Sequence, residues 1–234
     1  MVRIRNSGRR ALAAAATCAV LATGFAAVPG FGFTTQVTPG LVAVYVRLFG
    51  SGGRVRIVTW AKFAEAHKGT REIESLITQS GMELGALQTV NSYFNRVPFL
   101  SDESHWGFED YWATPAEMQA SNGGDCEDFS IAKYFILKEF GVPVERLRIT
   151  YVKAVKINQA HMVLAYYPTP GAVPLILDNL EDRVRVASER PDLVPVYSFN
   201  DDDVVLVRDG RKANPMQIRT WRNLLEKLEW EARL

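Results

Sequence analysis

The chain has 234 residues, 47% hydrophobic and 23% charged, the make-up of an ordinary globular protein of one large domain or slightly more. That excludes intrinsic disorder, a collagen-like repeat and a disulfide-stapled miniprotein, because a body of this size buries a core of its own. A formal net charge of +1 with no basic stripe speaks against a nucleic-acid partner.

The first ten residues are basic, with Arg3, Arg5, Arg9 and Arg10 and no acid, and residues 11–28 are apolar and alanine-rich until Pro29-Gly30. This is the pattern of a secretory signal peptide over residues 1–27, and it predicts export to the periplasm. The alternative is an uncleaved anchor, since about eighteen apolar residues just reach across a bilayer. Alanine is weakly apolar, which favours cleavage. The residues after Arg9-Arg10 do not continue a twin-arginine pattern, and the apolar run extends past Cys18, so lipid attachment there is not expected. Cleavage would take four of the 27 basic residues and none of the 26 acids, turning +1 into −3. It would also leave Cys126 as the sole cysteine. A lone thiol in an oxidising compartment is attacked unless it is buried or used, so Cys126 is the first residue to explain.

Residues 28–58 read as an N-terminal lead-in with β-prone runs at Leu41–Leu48 and Val55–Val58, ahead of a main domain over 59–234. Helical spacing then predicts one helix from Thr59 to about Ser80 and a second over Met82–Asn95, with Leu84, Leu87, Val90, Tyr93 and Phe94 on its apolar side. Residues 96–124 form a long connection with a short helix after Pro115. Phe99, Trp106, Phe108, Tyr111 and Trp112 argue that it is packed. Gly123-Gly124 release the chain into a central helix, Asp125–Phe140, closed by Gly141 and Pro143. Strands are expected next at Leu147–Val155, His161–Tyr167, Leu175–Leu180, Val194–Phe199 and Val204–Arg208, with a turn at Asp201–Asp203. Asn214 caps a closing helix that begins with Pro215 and places Trp221, Leu224, Leu225 and Leu228 on one face. Helices, a central helix and then antiparallel strands make an α+β fold.

Cys126 falls in the first turn of the central helix, where free N–H groups and the helix dipole favour a thiolate. A nucleophile also needs a base. His67 lies on a polar helical stretch, His105 sits in the aromatic loop, and His161 opens the apolar run HMVLAYY. If strands 161–167 and 175–180 form a hairpin about the loop 168–174, facing residues sum to about 342. His161 then meets the 178–181 stretch, and a bulge near Gly171 would bring it to Asp178, which ends the apolar run PLIL; Glu181 lies in polar sequence. A carboxylate there would orient the imidazole. From spacing alone, a buried structural cysteine, a strand-end histidine and a turn aspartate fit equally well. A zinc site has little support without a CxxC or HxxxH pair.

The stretches VNSYFNRVPF, DYWATPAEM, GGDCEDFSIAKYFILKEFGVP, LRITYVKA, QAHMVLAYYPTP, PLILDNL and DLVPVYSFN, in this order, resemble the bacterial transglutaminase-like cysteine proteinases, and within them the periplasmic LapG-type proteases. The resemblance implies a papain-like, transglutaminase-like core and a Cys126–His161–Asp178 triad. It also implies a Ca2+ site through Asp125, Glu127 and Asp128, completed from the 96–124 loop; the simpler reading of these acids is that they complement the helix dipole. The implied substrate is the N-terminal region of a large surface adhesin, whose release disperses biofilm. The implied inhibitor is the periplasmic domain of an inner-membrane cyclic-di-GMP receptor. A thiol amidase or transglutaminase acting on cell-wall peptide, or a non-catalytic binding module, would present similar sequence features.

Overall fold

The computed structural model describes residues 36–78 and 83–234. The export signal expected over 1–27 and the start of the lead-in lie outside the described residues. Among the described residues no helix is long and apolar enough to cross a membrane.

Helix α1 spans Pro39–His67, with Thr38 accepting from the Leu41 N–H at 3.1 Å and Pro39 opening the first turn. The β-prone runs expected at 41–48 and 55–58 are therefore helical. The β-branched residues carry a strand preference, but burial decides: Leu41, Tyr45, Gly53, Ile57, Trp60 and Ala64 form a buried stripe at helical spacing. Gly50 breaks the helix with φ 70°, a left-handed conformation that a side chain would strain. Helix α2 (Arg71–Thr78) and helix α3 (Glu83–Phe94) come next. The single helix expected over 59–80 is thus the end of α1 plus α2, separated at Gly69, where φ is 69°. Helix α3 buries Ala86, Leu87, Val90 and Phe94, while Leu84 is exposed.

The connection to residue 124 is ordered by local chemistry. A one-turn helix, α4, covers Asp102–His105, and α5 covers Pro115–Ser121. Thr114 and Glu117 close a capping box at the start of α5. Asn122 ends α5 in the left-handed region (φ 64°), and Arg56 from α1 donates to the Ala120 carbonyl at 3.1 Å. Leu100 N–H bonds the Gly124 carbonyl at 2.9 Å, tying the loop to the residues that launch helix α6, Cys126–Glu139.

Helix α6 is buried nearly all round: Phe129, Ile131, Ala132, Tyr134, Phe135, Ile136 and Leu137 are each at most 2% exposed. It packs on one side against α3 and α5 and on the other against an antiparallel sheet. The strands are β1 (Leu147–Ala154), β2 (Gln159–Tyr166), β3 (Leu175–Leu177), β4 (Arg185–Val186), β5 (Leu193–Phe199), β6 (Val204–Leu206) and β7 (Lys212–Ala213), in the order β4-β3-β2-β1-β5-β6-β7. β3 and β6 are shorter than their apolar runs, and the edge strands β4 and β7, two residues each, have too little alternation to be read in advance. Closing helix α7 is Arg219–Glu231, and its buried face is the expected Trp221, Leu224, Leu225 and Leu228. Asn214 caps a separate turn, Pro215–Gln217, by accepting from Met216 N–H at 2.8 Å; Ile218 (ψ 108°) then breaks the path before α7. Trp221 joins α7 to α6 by stacking on Phe135 at 5.7 Å.

Candidate active site

Cys126 is the first residue of α6, half-buried, and its thiol donates to Glu127 Oε2 at 3.1 Å. The opposite wall is β2. Because β3 faces only Leu164, Ala165 and Tyr166, the earlier part of β2 has no strand on that side. There the Met162 N–H donates to the Cys126 sulfur, which seats the thiol at the residue directly after His161.

His161 Nε2 lies 2.8 Å from Asp178 Oδ1, and both side chains are buried. The register places Leu164 opposite Leu177 and Tyr166 opposite Leu175, one step from the predicted 342. No bulge is needed. Asp178 directly follows β3 and, in this register, falls opposite Val163; His161 is its diagonal neighbour two residues away, a separation that an imidazole and a carboxylate span. With Nε2 committed to the carboxylate, Nδ1 is the ring nitrogen that remains; the tautomer is assigned from these partners. Glu181 turns away to Arg185, at 3.4 Å.

Asp178 is anchored on every side. Leu180 N–H also donates to Oδ1 at 2.9 Å, Arg190 Nη2 to Oδ2 at 2.8 Å, and Asn95 Nδ2 to the Asp178 carbonyl at 2.9 Å. Burial pushes this carboxyl up, but the His161 contact, the Leu180 N–H and the Arg190 guanidinium prevail and hold it at about 2.

The charge around the thiol has the opposite sign from the one its helix position suggests. Burial raises the Cys126 thiol far above its ordinary range, and the Glu127 and Asp125 carboxylates raise it further. Two acids from the long connection join this cluster. Oxygens of Asp102, Asp110 and Glu127 lie within 4.8 Å of one another, as do those of Asp102, Asp125 and Asp128. Asp102 Oδ1 and Asp125 Oδ1 are buried with no protein partner. Burial and neighbouring acids push Asp102 up to about 6 and Asp125 up to about 8, and Asp128 rises well above the carboxylate range. Partnerless carboxylate oxygens crowded in this way suit a hard cation with oxygen ligands. Of the three acids expected as ligands, Asp128 already accepts from Ala113 N–H (2.7 Å) and Asp125 N–H (3.3 Å), so its carboxylate also pins the loop to the helix start. Asp102 sits in SDES, which reads as a helix start, and Asp110 in the aromatic-rich GFEDYW; neither carries a metal-spacing signal. The other histidines stay apart: His105 Nε2 bonds Ser121 Oγ at 2.9 Å, and His67 Nδ1 bonds the Phe63 carbonyl at 2.8 Å. Trp112 is core, stacked on Phe199 at 5.8 Å, whereas Trp106 packs on Tyr111 at 4.7 Å beside the acids.

A free cysteine opening a buried helix, facing a sheet that holds a His–Asp pair, defines the class of thiol-dependent acyl-transfer enzymes. Comparison with known proteins narrows the class. The sequence model of the bacterial transglutaminase-like cysteine proteinases matches residues 58–192. Solved structures of Legionella pneumophila LapG are similar: the EGTA-treated form is 38% identical with a TM-score of 0.66, covering 80% of this chain and 97% of that one. The calcium-bound form is 39% identical with a TM-score of 0.61, covering 80% and 98%. No curated protein matches in a sequence search. The chain belongs to the bacterial transglutaminase-like cysteine proteinases, and its fold is of the transglutaminase-like type.

Proposed function

We propose that the protein is a calcium-dependent periplasmic cysteine endopeptidase that cuts the N-terminal region of a large surface adhesin, releasing it and promoting biofilm dispersal. The observation that carries the reading is the seating of the Cys126 sulfur on the Met162 N–H, beside a His161 whose far nitrogen is held 2.8 Å from Asp178. In this reading His161 Nδ1 takes the thiol proton, and the sulfur attacks the scissile carbonyl. The Cys126 N–H, in the first turn where N–H groups have no intrahelical acceptor, donates to the developing oxyanion. The imidazolium, steadied by Asp178, returns its proton to the leaving amine. It then accepts a proton from the water that cleaves the thioester.

Asp102, Asp110, Asp125 and Glu127 would hold the calcium ion, with Asp128 fixing the loop around them. The bound ion would supply positive charge against acids that otherwise disfavour the thiolate. Support for calcium comes from the buried unpartnered oxygens and from the calcium-bound form of the Legionella relative. Export rests on the signal-like residues 1–27, and the adhesin substrate and the cyclic-di-GMP receptor rest on the LapG-type resemblance. The test is incubation of wild type and Cys126→Ala with an adhesin N-terminal fragment, the products being weighed by mass spectrometry. Wild type should give two fragments whose masses sum to the substrate plus water, and the variant none. Cleavage by the variant overturns the reading; amine incorporation in place of hydrolysis makes the enzyme a transamidase.

A further inference from the structure

Arg190 comes directly after the one-turn helix Ala187–Glu189 and is 8% exposed, although arginine is among the residues least often buried. Its Nη2 donates to Asp178 Oδ2 at 2.8 Å and Asp192 Oδ2 at 3.0 Å, and its Nε to Asp192 Oδ1 at 3.1 Å. Asp192 on the far side keeps the guanidinium from swinging away. The two oxygens of Asp178 are thereby divided, Oδ1 to His161 and the Leu180 N–H, Oδ2 to Arg190.

The remaining groups facing Asp178 come from α6, from the residue after α3 and from β2. Lys133 of α6 is fully buried, donates to Asn95 Oδ1 at 2.7 Å and acts on Asp178 by its charge. Asn95, just past the end of α3, holds the Asp178 carbonyl and, at 3.1 Å, Asp182 Oδ1. His161 faces Asp178 from β2, with the Cys126 sulfur seated at the next residue.

We propose that Arg190 is a positioning residue for the peptidase reaction: its guanidinium locks the plane of the Asp178 carboxylate so that Oδ1 meets His161 Nε2, and it takes a share of that carboxylate's charge. The first effect arises because a carboxylate torsion is broad and one imidazole bond leaves it free to rock. The second arises because an undivided anion favours imidazolium, whereas a base that must accept the thiol proton has to begin neutral. The arginine fork spans two carboxylates at once, which a lysine ammonium cannot do with fixed geometry. The proposal rests on the Cys126–His161–Asp178 reading.

The test compares wild type, Arg190→Met, Arg190→Lys and Asp178→Asn on the adhesin fragment. It adds 15N titration of the His161 ring, with and without each Arg190 change, in a Cys126→Ala background where no thiol titrates alongside. Arg190→Met should lose about 100-fold in kcat with KM little changed, the size expected for a misplaced catalytic group. Its imidazole midpoint should move up by about one pH unit. Arg190→Lys, keeping the charge without the fork, should lose about tenfold in kcat while its midpoint stays in place. A merely structural arginine would lower melting temperature without moving the imidazole midpoint. Wild-type kcat in Arg190→Lys, or an unmoved midpoint in Arg190→Met, overturns the proposal while leaving the triad standing if Asp178→Asn is inactive. Full activity in Asp178→Asn overturns the triad reading beneath it. Should Arg190→Met not fold, the kcat of Arg190→Lys decides.

Discussion

Replacing Glu231 by Gln should remove a pH-dependent loss of stability. Glu231 belongs to α7 and is 7% exposed. Its Oε1 accepts from Tyr45 of α1 and, at 2.5 Å, from the Thr114 hydroxyl that begins α5. Burial first, then the charge of Glu117, push its carboxyl from 4.5 up to about 8, although Lys227 at 2.7 Å partly neutralises Glu117. The folded state therefore holds this proton more tightly than the unfolded state. Its contribution to stability is fully present below about pH 4.5 and is lost as pH rises through about 8. The shift corresponds to at most about 5 kcal/mol. Glutamine keeps an acceptor for both hydroxyls and never ionises. Urea unfolding at pH 5.5 and pH 9, with calcium in constant excess, should show wild type losing stability across that range relative to Glu231→Gln, which becomes the more stable protein at pH 9. Equal pH slopes in the two proteins would refute the reasoning.

Three further outcomes are expected. Asp102→Asn or Asp110→Asn should weaken calcium-induced stabilisation, which for wild type at a hundredfold excess over Kd is about 2.7 kcal/mol; isothermal titration and thermal melts with and without EGTA check this. Gly124→Ala should cost about 1–3 kcal/mol and most of the activity, because its Cβ would come within 2.7 Å of Asp128 Oδ2 and displace the carboxylate that pins the helix start; unfolding and fragment cleavage measured on the same preparation decide it. Phe135→Ala should cost about 3–5 kcal/mol by chemical denaturation, since the ring is fully buried between α6 and Trp221; a loss under 1 kcal/mol would contradict the packing described.

Periodicity and local chemistry carried most of the fold. The central helix, the strand sequence from Leu147 to Leu206 and the apolar face of α7 were legible because each buries one regular pattern against a neighbour. Leu41–Leu48 was not legible as helix, because its valines point to a strand until Tyr45 is seen packed in the interior. The Asn214 cap was real but belonged to a turn that Ile218 ends. In the site, the candidate nucleophile could be picked out from a cysteine count, and the His161–Asp178 partnership from hairpin arithmetic correct to one step. The diagonal contact was out of reach, since where β3 stops depends on the loop after it.

The chain by itself dictates which residues lie on which element: Cys126 at a helix start, His161 on a strand and Asp178 at the end of the next. Only the tertiary structure decided the charge that surrounds them. Asp102 and Asp110 reach Glu127, the residue after Cys126, from 17–25 residues upstream, and Arg190 reaches Asp178 from a turn beyond the next strand. Short-range pattern records burial and turns; electrostatic neighbours separated by loops leave no periodic mark, because they are set by how packed layers bring distant segments together.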